Sequence, residues 1–158
     1  MELFQVISNS PKRTQEVGRK IGELAQPGDL ILLVGQLGAG KTCLVQGIAL
    51  GLGIKDYVSS PSFVLVREHQ GGLPLYHIDL YRLDRLEESA DLGLDDYVFG
   101  RGVCVVEWAD KALELFPAEN LLIEIKFISA TKRALLFRPS GSRYMDLAEQ
   151  LKTVLVGQ

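Results

Sequence analysis

Cysteine and histidine are scarce in this sequence, with two of each in 158 residues. Cys43 and Cys104 are too few for a disulfide framework and lack metal-ligand spacing, and His69 and His77 do not complete a zinc set. A reducing compartment, the cytoplasm, is therefore expected. There is no stretch of eighteen uninterrupted apolar residues and no basic segment followed by an apolar core at the amino terminus, so neither membrane insertion nor secretion is expected. Positive charge is not in excess either. Seventeen Lys and Arg against twenty Asp and Glu leave a net charge of −3, which argues against the basic face that neutralises many phosphates of DNA or RNA. Contact with DNA is not expected, and any role on RNA is expected to be indirect.

A composition that is 47% hydrophobic and 23% charged suits a globular chain, and this length buries enough surface for a core without metal or disulfide staples. No repeat, low-complexity segment or linker-like shift breaks residues 1–158, so one domain is predicted.

The order of elements predicts an α/β fold. Leu3 to Ile7 reads as a strand. Ser10-Pro11 gives an N-cap with proline at the first helical position, and Val17, Ile21 and Leu24 share a helix face before Pro27-Gly28. Asp29 to Val34 is a continuous apolar run suited to a strand buried on both faces. Cys43 to Leu52 reads as an apolar helix closed by Gly51 and Gly53. Phe63 to Glu68 and Leu75 to Leu80 flank Gly71-Gly72 as a hairpin. Glu87 to Leu94 reads as a helix, Val103 to Glu107 as a central strand, Asn120 to Ile128 and Arg133 to Arg138 as further strands, and Ser142 to Val156 as a closing amphipathic helix. A P-loop NTPase-like domain with a mixed parallel and antiparallel sheet flanked by helices accounts for this order.

The strongest chemical signal is Gly35-Gln36-Leu37-Gly38-Ala39-Gly40-Lys41-Thr42. It satisfies G-x-x-x-x-G-K-[ST] between a predicted strand and a predicted helix, the context that the motif requires. Glycines let backbone N–H groups converge on phosphates, and the helix adds its positive end to the same anions. Lys41 is expected on the β- and γ-phosphates and the Thr42 hydroxyl on Mg²⁺. Cys43, in the first helical turn, either has a reactive thiol or is a small residue packed under the loop.

A P-loop enzyme also needs an acidic residue at a neighbouring strand end. Val103-Cys-Val-Val-Glu107 and Leu75-Tyr-His-Ile-Asp79 each end in one, and together they suggest a site with both carboxylates. Arg82 lies three residues beyond Asp79, as its ion-pair partner or as a cation facing the γ-phosphate. Ser60, Pro61 and Ser62 form either an ordinary polar turn or a switch segment. His77 is expected to be packed and hydrogen-bonded rather than catalytic. Trp108, the only tryptophan, follows Glu107 directly, as a packed ring, a reporter of the nucleotide or part of a partner surface.

With these residues in hand, the sequence resembles the bacterial TsaE (YjeE) family, the ATPase component of tRNA threonylcarbamoyladenosine synthesis. The carriers are Gly35-Gln-Leu-Gly-Ala-Gly-Lys-Thr42, Ser60-Pro-Ser-Phe63, His77-Ile-Asp-Leu-Tyr-Arg82 and Val106-Glu-Trp108, in the family's order and spacing. The resemblance implies slow hydrolysis of ATP to ADP, Mg²⁺ dependence, and action with the TsaD and TsaB proteins in threonylcarbamoylation of adenosine 37 in ANN-decoding tRNAs, with tRNA met mainly through the complex. It implies that Lys41 holds phosphate, that Thr42 and Glu107 hold Mg²⁺, and that Asp79 is needed for turnover. It also implies that Thr14 and Lys132 or Arg133 lie near the nucleotide. Gln36 and Cys43 depart from the family's usual Asp and Thr or Ser. Two other readings fit a chain of this kind: a small-metabolite P-loop kinase, which needs an arginine-rich lid not evident here, and a non-catalytic assembly module whose bound nucleotide sets partner affinity.

Overall fold

The computed structural model describes residues 4–35, 40–55, 66–81 and 93–156. Seven strands form one sheet in the order β1-β7-β6-β2-β5-β4-β3. They are β1 Phe4–Ser8, β2 Leu30–Gly35, β3 Val66–His69, β4 Leu75–Asp79, β5 Val103–Glu107, β6 Asn120–Phe127 and β7 Arg133–Ser140. The four central strands, β6, β2, β5 and β4, run parallel, and β1, β7 and β3 add antiparallel edges. The fold is thus α/β with a mixed sheet, as the element order predicts.

The helices are α1 Pro11–Leu24, α2 Lys41–Gly51, α3 Leu94–Val98 and α4 Ser142–Leu155. Ser10 caps α1, its hydroxyl accepting from the Arg13 N–H at 3.1 Å. The strand β2 is buried because α2 and the turn Ala109–Lys111 pack against it, β5 and β6 flank it and the Leu30 N–H donates to the Tyr144 hydroxyl of α4, which is why its sequence reads as an unbroken apolar run. The two helices α1 and α2 press together through glycine. A Cβ built on Gly47 would lie 2.0 Å from the Gln15 carbonyl oxygen, and one on Gly18 2.2 Å from that of Leu44. This close approach fixes where α2 begins. Arg143, on α4, meets Asp29 through two hydrogen bonds of 2.7 and 3.0 Å and also donates to the Leu24 carbonyl, tying α4 to the entry of β2.

Some boundaries differ from expectation. Of the helix expected over Glu87 to Leu94, residues 87–92 lie outside the described residues; the described helix begins at Leu94 instead, because Gly93 stands before it with φ +64° and interrupts any helix running through it. The first helix ends at Leu24 ahead of Pro27-Gly28, as expected, and Gln26 to Asp29 form a turn closed by the Gln26 N–H on the Asp29 carboxylate. Strand β7 runs two residues past Arg138, with Pro139 opposite Leu121. Residues 63–65 of the expected hairpin lie outside the described residues, and the rest of it, Val66–His69 against Leu75–Ile78, is antiparallel as expected.

Candidate functional site

Pleating gives alternate residues of a strand to opposite faces, and the register decides which residues share one. Asp79 stands opposite Glu107, and Glu107 opposite Leu33. Gly35, two residues on from Leu33, stands opposite Ile125. Gly35, Asp79 and Glu107 therefore share one face and one end of the parallel strands, the end at which chain leaves β2 for α2. Strand neighbours lie about 4.8 Å apart, so the two carboxylates flank each other on adjacent strands.

Lys41 opens α2 behind Gly40, whose φ of +106° is a conformation that glycine adopts without strain. Its ammonium donates to the Gly35 carbonyl at 2.6 Å and lies 3.8 Å from the centre of the Trp108 ring. Burial lowers the Lys41 pKa, and the nearby charges of Glu107, Asp110 and Asp79 oppose that shift. Asp79 moves the other way. Burial raises its pKa, as does Glu107, while the Tyr81 N–H, which donates to its Oδ1 at 2.9 Å, His77 and Lys41 pull it back. Thr42 and Cys43 follow in the first turn of α2, both half-buried. Cys104, in the middle of β5, is fully enclosed and its thiol is pushed up to about 12, which keeps it inert.

Two further features sharpen this end of the sheet. Trp108 is the one non-glycine residue at positive φ among the described residues, at φ 60° and ψ 36°. A left-handed residue with a Cβ costs about 1–2 kcal/mol, and this turn places the indole over Lys41. The Tyr81 ring stands 5.0 Å from the Trp108 ring, and the Tyr81 carbonyl accepts from the Lys111 ammonium. Beneath them, the Glu107 carboxylate is bonded to Nε2 of the fully buried His77.

Across the sheet, Phe127 stands opposite Arg133 and Arg133 opposite Ser8. The register thus brings Arg133 and Ser8 to the same end as Gly35, on its other side from the acidic pair. Thr14 joins them through a hydroxyl contact of 2.7 Å with Ser8. The Arg133 guanidinium stacks on Phe127 at 4.6 Å and donates to the Ser129 and Lys132 carbonyls. Lys132 is exposed in the turn before it. Gln36, Leu37, Gly38 and Ala39 of the loop, Ser60, Pro61 and Ser62, and Arg82 lie outside the described residues.

Sequence reasoning did not pick out Tyr81, Asp110 and Lys111, nor the bond from His77 to Glu107. The last depends on pairing: only when the two acid-ended strands lie parallel and in register does a histidine two residues before one acid stand diagonally across from the other.

A family model described as threonylcarbamoyl adenosine biosynthesis protein TsaE matches residues 8–135. The chain belongs to the TsaE family. The tRNA threonylcarbamoyladenosine biosynthesis protein TsaE of Bacillus subtilis (strain 168) is 46% identical over 143 residues, covering 90% of this chain and 89% of that protein. The protein of the same name from Treponema pallidum is 40% identical, covering 82% of this chain and 96% of that one. Among solved structures, the crystal structure of YdiB from Bacillus subtilis superposes with a TM-score of 0.86 at 39% identity and covers 97% of this chain and 96% of that chain. The TsaE match spans β2, α2, β4 and β5, so every described residue at the strand ends discussed above falls within it.

Proposed function

We propose that this chain binds ATP with Mg²⁺ at the end of the sheet that carries Gly35, Lys41, Asp79 and Glu107, hydrolyses it slowly to ADP, and serves threonylcarbamoylation of adenosine 37 in ANN-decoding tRNAs. Membership of the TsaE family supports the pathway. The observation that carries the nucleotide reading is the register of β4, β5 and β2, which places two carboxylates on the same face as the turn into Lys41. On this reading the chain acts in the cytoplasm alongside TsaD and TsaB; no helix among the described residues is long and apolar enough to cross a membrane.

The residues fit this ligand. Among the described residues no group of three or more His, Cys, Asp and Glu side chains could hold a metal. A cation here would need oxygens from Thr42 and from phosphate beside one or two carboxylates, which is the manner in which Mg²⁺ is usually held. The adjacency of Asp79 and Glu107, where burial first and the Glu107 charge after it raise the Asp79 pKa, supports a cation that offsets two buried like charges. Thr42 and Glu107 are assigned to Mg²⁺, which when bound would neutralise charge on the phosphates.

Lys41 supplies a point charge to phosphate, and the N–H groups at the start of α2 supply the rest of the cradle with those of Gln36 to Ala39. Asp79 is assigned to orienting the attacking water. Thr14, Lys132 and Arg133, on the β7 side, are assigned to the remainder of the nucleotide, and Ser60, Pro61, Ser62 and Arg82 to segments that respond to the γ-phosphate or meet partners. The test is reconstitution of the purified chain with TsaD, TsaB and tRNA, scored for hydrolysis and for modified adenosine. Hydrolysis stimulated by the partners together with modified tRNA is expected. A phosphorylated small metabolite, or modification that needs no ATP site on this chain, would overturn the reading.

A further inference from the structure

The placement at the strand ends that packing least explains is His77. Its ring is fully buried in β4, and Nδ1 has no hydrogen-bond partner among the described residues. An apolar side chain of similar size would fill the space without leaving a buried polar atom unsatisfied. The polar contact the ring does make is from Nε2 to Oε2 of Glu107.

An ionised carboxylate only accepts, so toward an ionised Glu107 the donor is the Nε2 N–H. The register explains the reach. Val105 stands opposite His77 and Glu107 opposite Asp79, so the ring spans diagonally, on one face, to a carboxylate two residues further along the neighbouring strand. The same face fixes the second acid by another donor, since the Tyr81 N–H holds Asp79 Oδ1. Each carboxylate of the pair thus has at least one oxygen restrained by the protein. A glutamate side chain has three rotatable torsions, and a hydrogen bond from a ring locked in the core removes most of that freedom.

We infer that His77 is a positioning residue for Glu107, holding its carboxylate in one orientation for a divalent cation. This rests on the proposed role of Glu107 at the metal. Outer partners of metal ligands typically change metal affinity by about 10–100-fold when removed.

The test uses the full chain saturated with ADP, so that no turnover intervenes, and follows bound Mn²⁺ by electron paramagnetic resonance. His77→Leu fills the space without a donor. His77→Asn carries its amide near the Nδ1 position, too short to reach Glu107, whereas His77→Gln carries it near Nε2. His77→Leu and His77→Asn are expected to raise the Mn²⁺ half-saturation about 10–100-fold, with metal-free ADP affinity within about twofold, and His77→Gln to recover most of the loss. The contrast between the Asn and Gln variants keeps the test decisive if the Leu variant does not fold. Wild-type half-saturation in His77→Asn, or equal losses in the Asn and Gln variants, would overturn the inference. Glu107→Gln is the reference arm: if that variant binds Mn²⁺ as the wild type does, the metal role of Glu107 itself fails; if it alone loses the ion, only the positioning role of His77 fails.

Discussion

The ammonium of Lys41 lies 3.8 Å from the centre of the Trp108 ring, held there by a residue in left-handed backbone conformation and by the Gly35 carbonyl. A cation over an indole face is attracted by the ring quadrupole. If Lys41 turns to phosphate, that attraction is exchanged for a stronger charge pair, and the surroundings of the indole change. Trp108 emission is therefore expected to shift on adding Mg²⁺-ATP, and by a different amount with Mg²⁺-ADP. Emission unchanged at saturating nucleotide would contradict this coupling. Because the chain has one tryptophan, the signal has a single source.

Lys41→Ala removes a charge-assisted hydrogen bond, which contributes about 1.5–3 kcal/mol. ATP affinity measured by calorimetry is expected to fall about 10–150-fold. Thr42→Ala is expected to bind ATP but to lose most of the Mg²⁺ dependence. Wild-type ATP affinity in Lys41→Ala would remove the lysine from the site.

The raised pKa of Asp79 has a consequence for stability. A carboxyl whose folded pKa lies above its ordinary value of 3.8 is bound more tightly to its proton in the folded state. Its contribution is fully present below that ordinary value and is lost as pH rises through the folded pKa. At neutral pH the ionised Asp79 therefore costs stability. Asp79→Asn, which keeps an oxygen for the Tyr81 N–H, is expected to melt higher than the wild type at pH 7, with the advantage shrinking toward pH 4, while turnover is lost. Thermal melts across that range check it, and a lower melting temperature at pH 7 would contradict it. Such an exchange of stability for function is common where charges are gathered for a ligand.

Gly47 lets α2 lie against α1, and a methyl there would lie 2.0 Å from the Gln15 carbonyl oxygen. Gly47→Ala is expected to cost about 1–3 kcal/mol, lowering the melting temperature by about 2–4 °C for each kcal/mol. It is also expected to weaken ATP binding, because the helix that carries Lys41 is displaced. Unchanged stability would show that the helices separate freely.

The segment from β2 through Gly40 and Lys41 to α2 was legible because its residues act locally: an apolar run, glycines, and a helix start. The two acid-ended strands were legible for the same reason. That β5 lies between β2 and β4, so that Glu107 and Asp79 become neighbours, depends on long-range pairing that no local pattern encodes. The left-handed turn at Trp108 was hidden because such strain is imposed by surrounding packing rather than by the residue's own preference. Thr14 is tied to this end of the sheet through Ser8 and the antiparallel edge formed by β1 and β7, a long-range arrangement. The described helix α3 begins only after Gly93, whose positive φ sets that boundary.

The account stands on Glu107 at the ion and Asp79 at the attacking water acting as one unit beside Lys41, and the most direct measurement is steady-state ATP hydrolysis by Asp79→Ala, Glu107→Ala and the double variant, each paired with equilibrium ATP binding. Residues that act as a unit are non-additive. The prediction is retained nucleotide binding, turnover lost in each single variant, and a double variant little worse than the poorer single. Losses that multiply, or turnover at the wild-type rate in either single variant, would contradict a shared site.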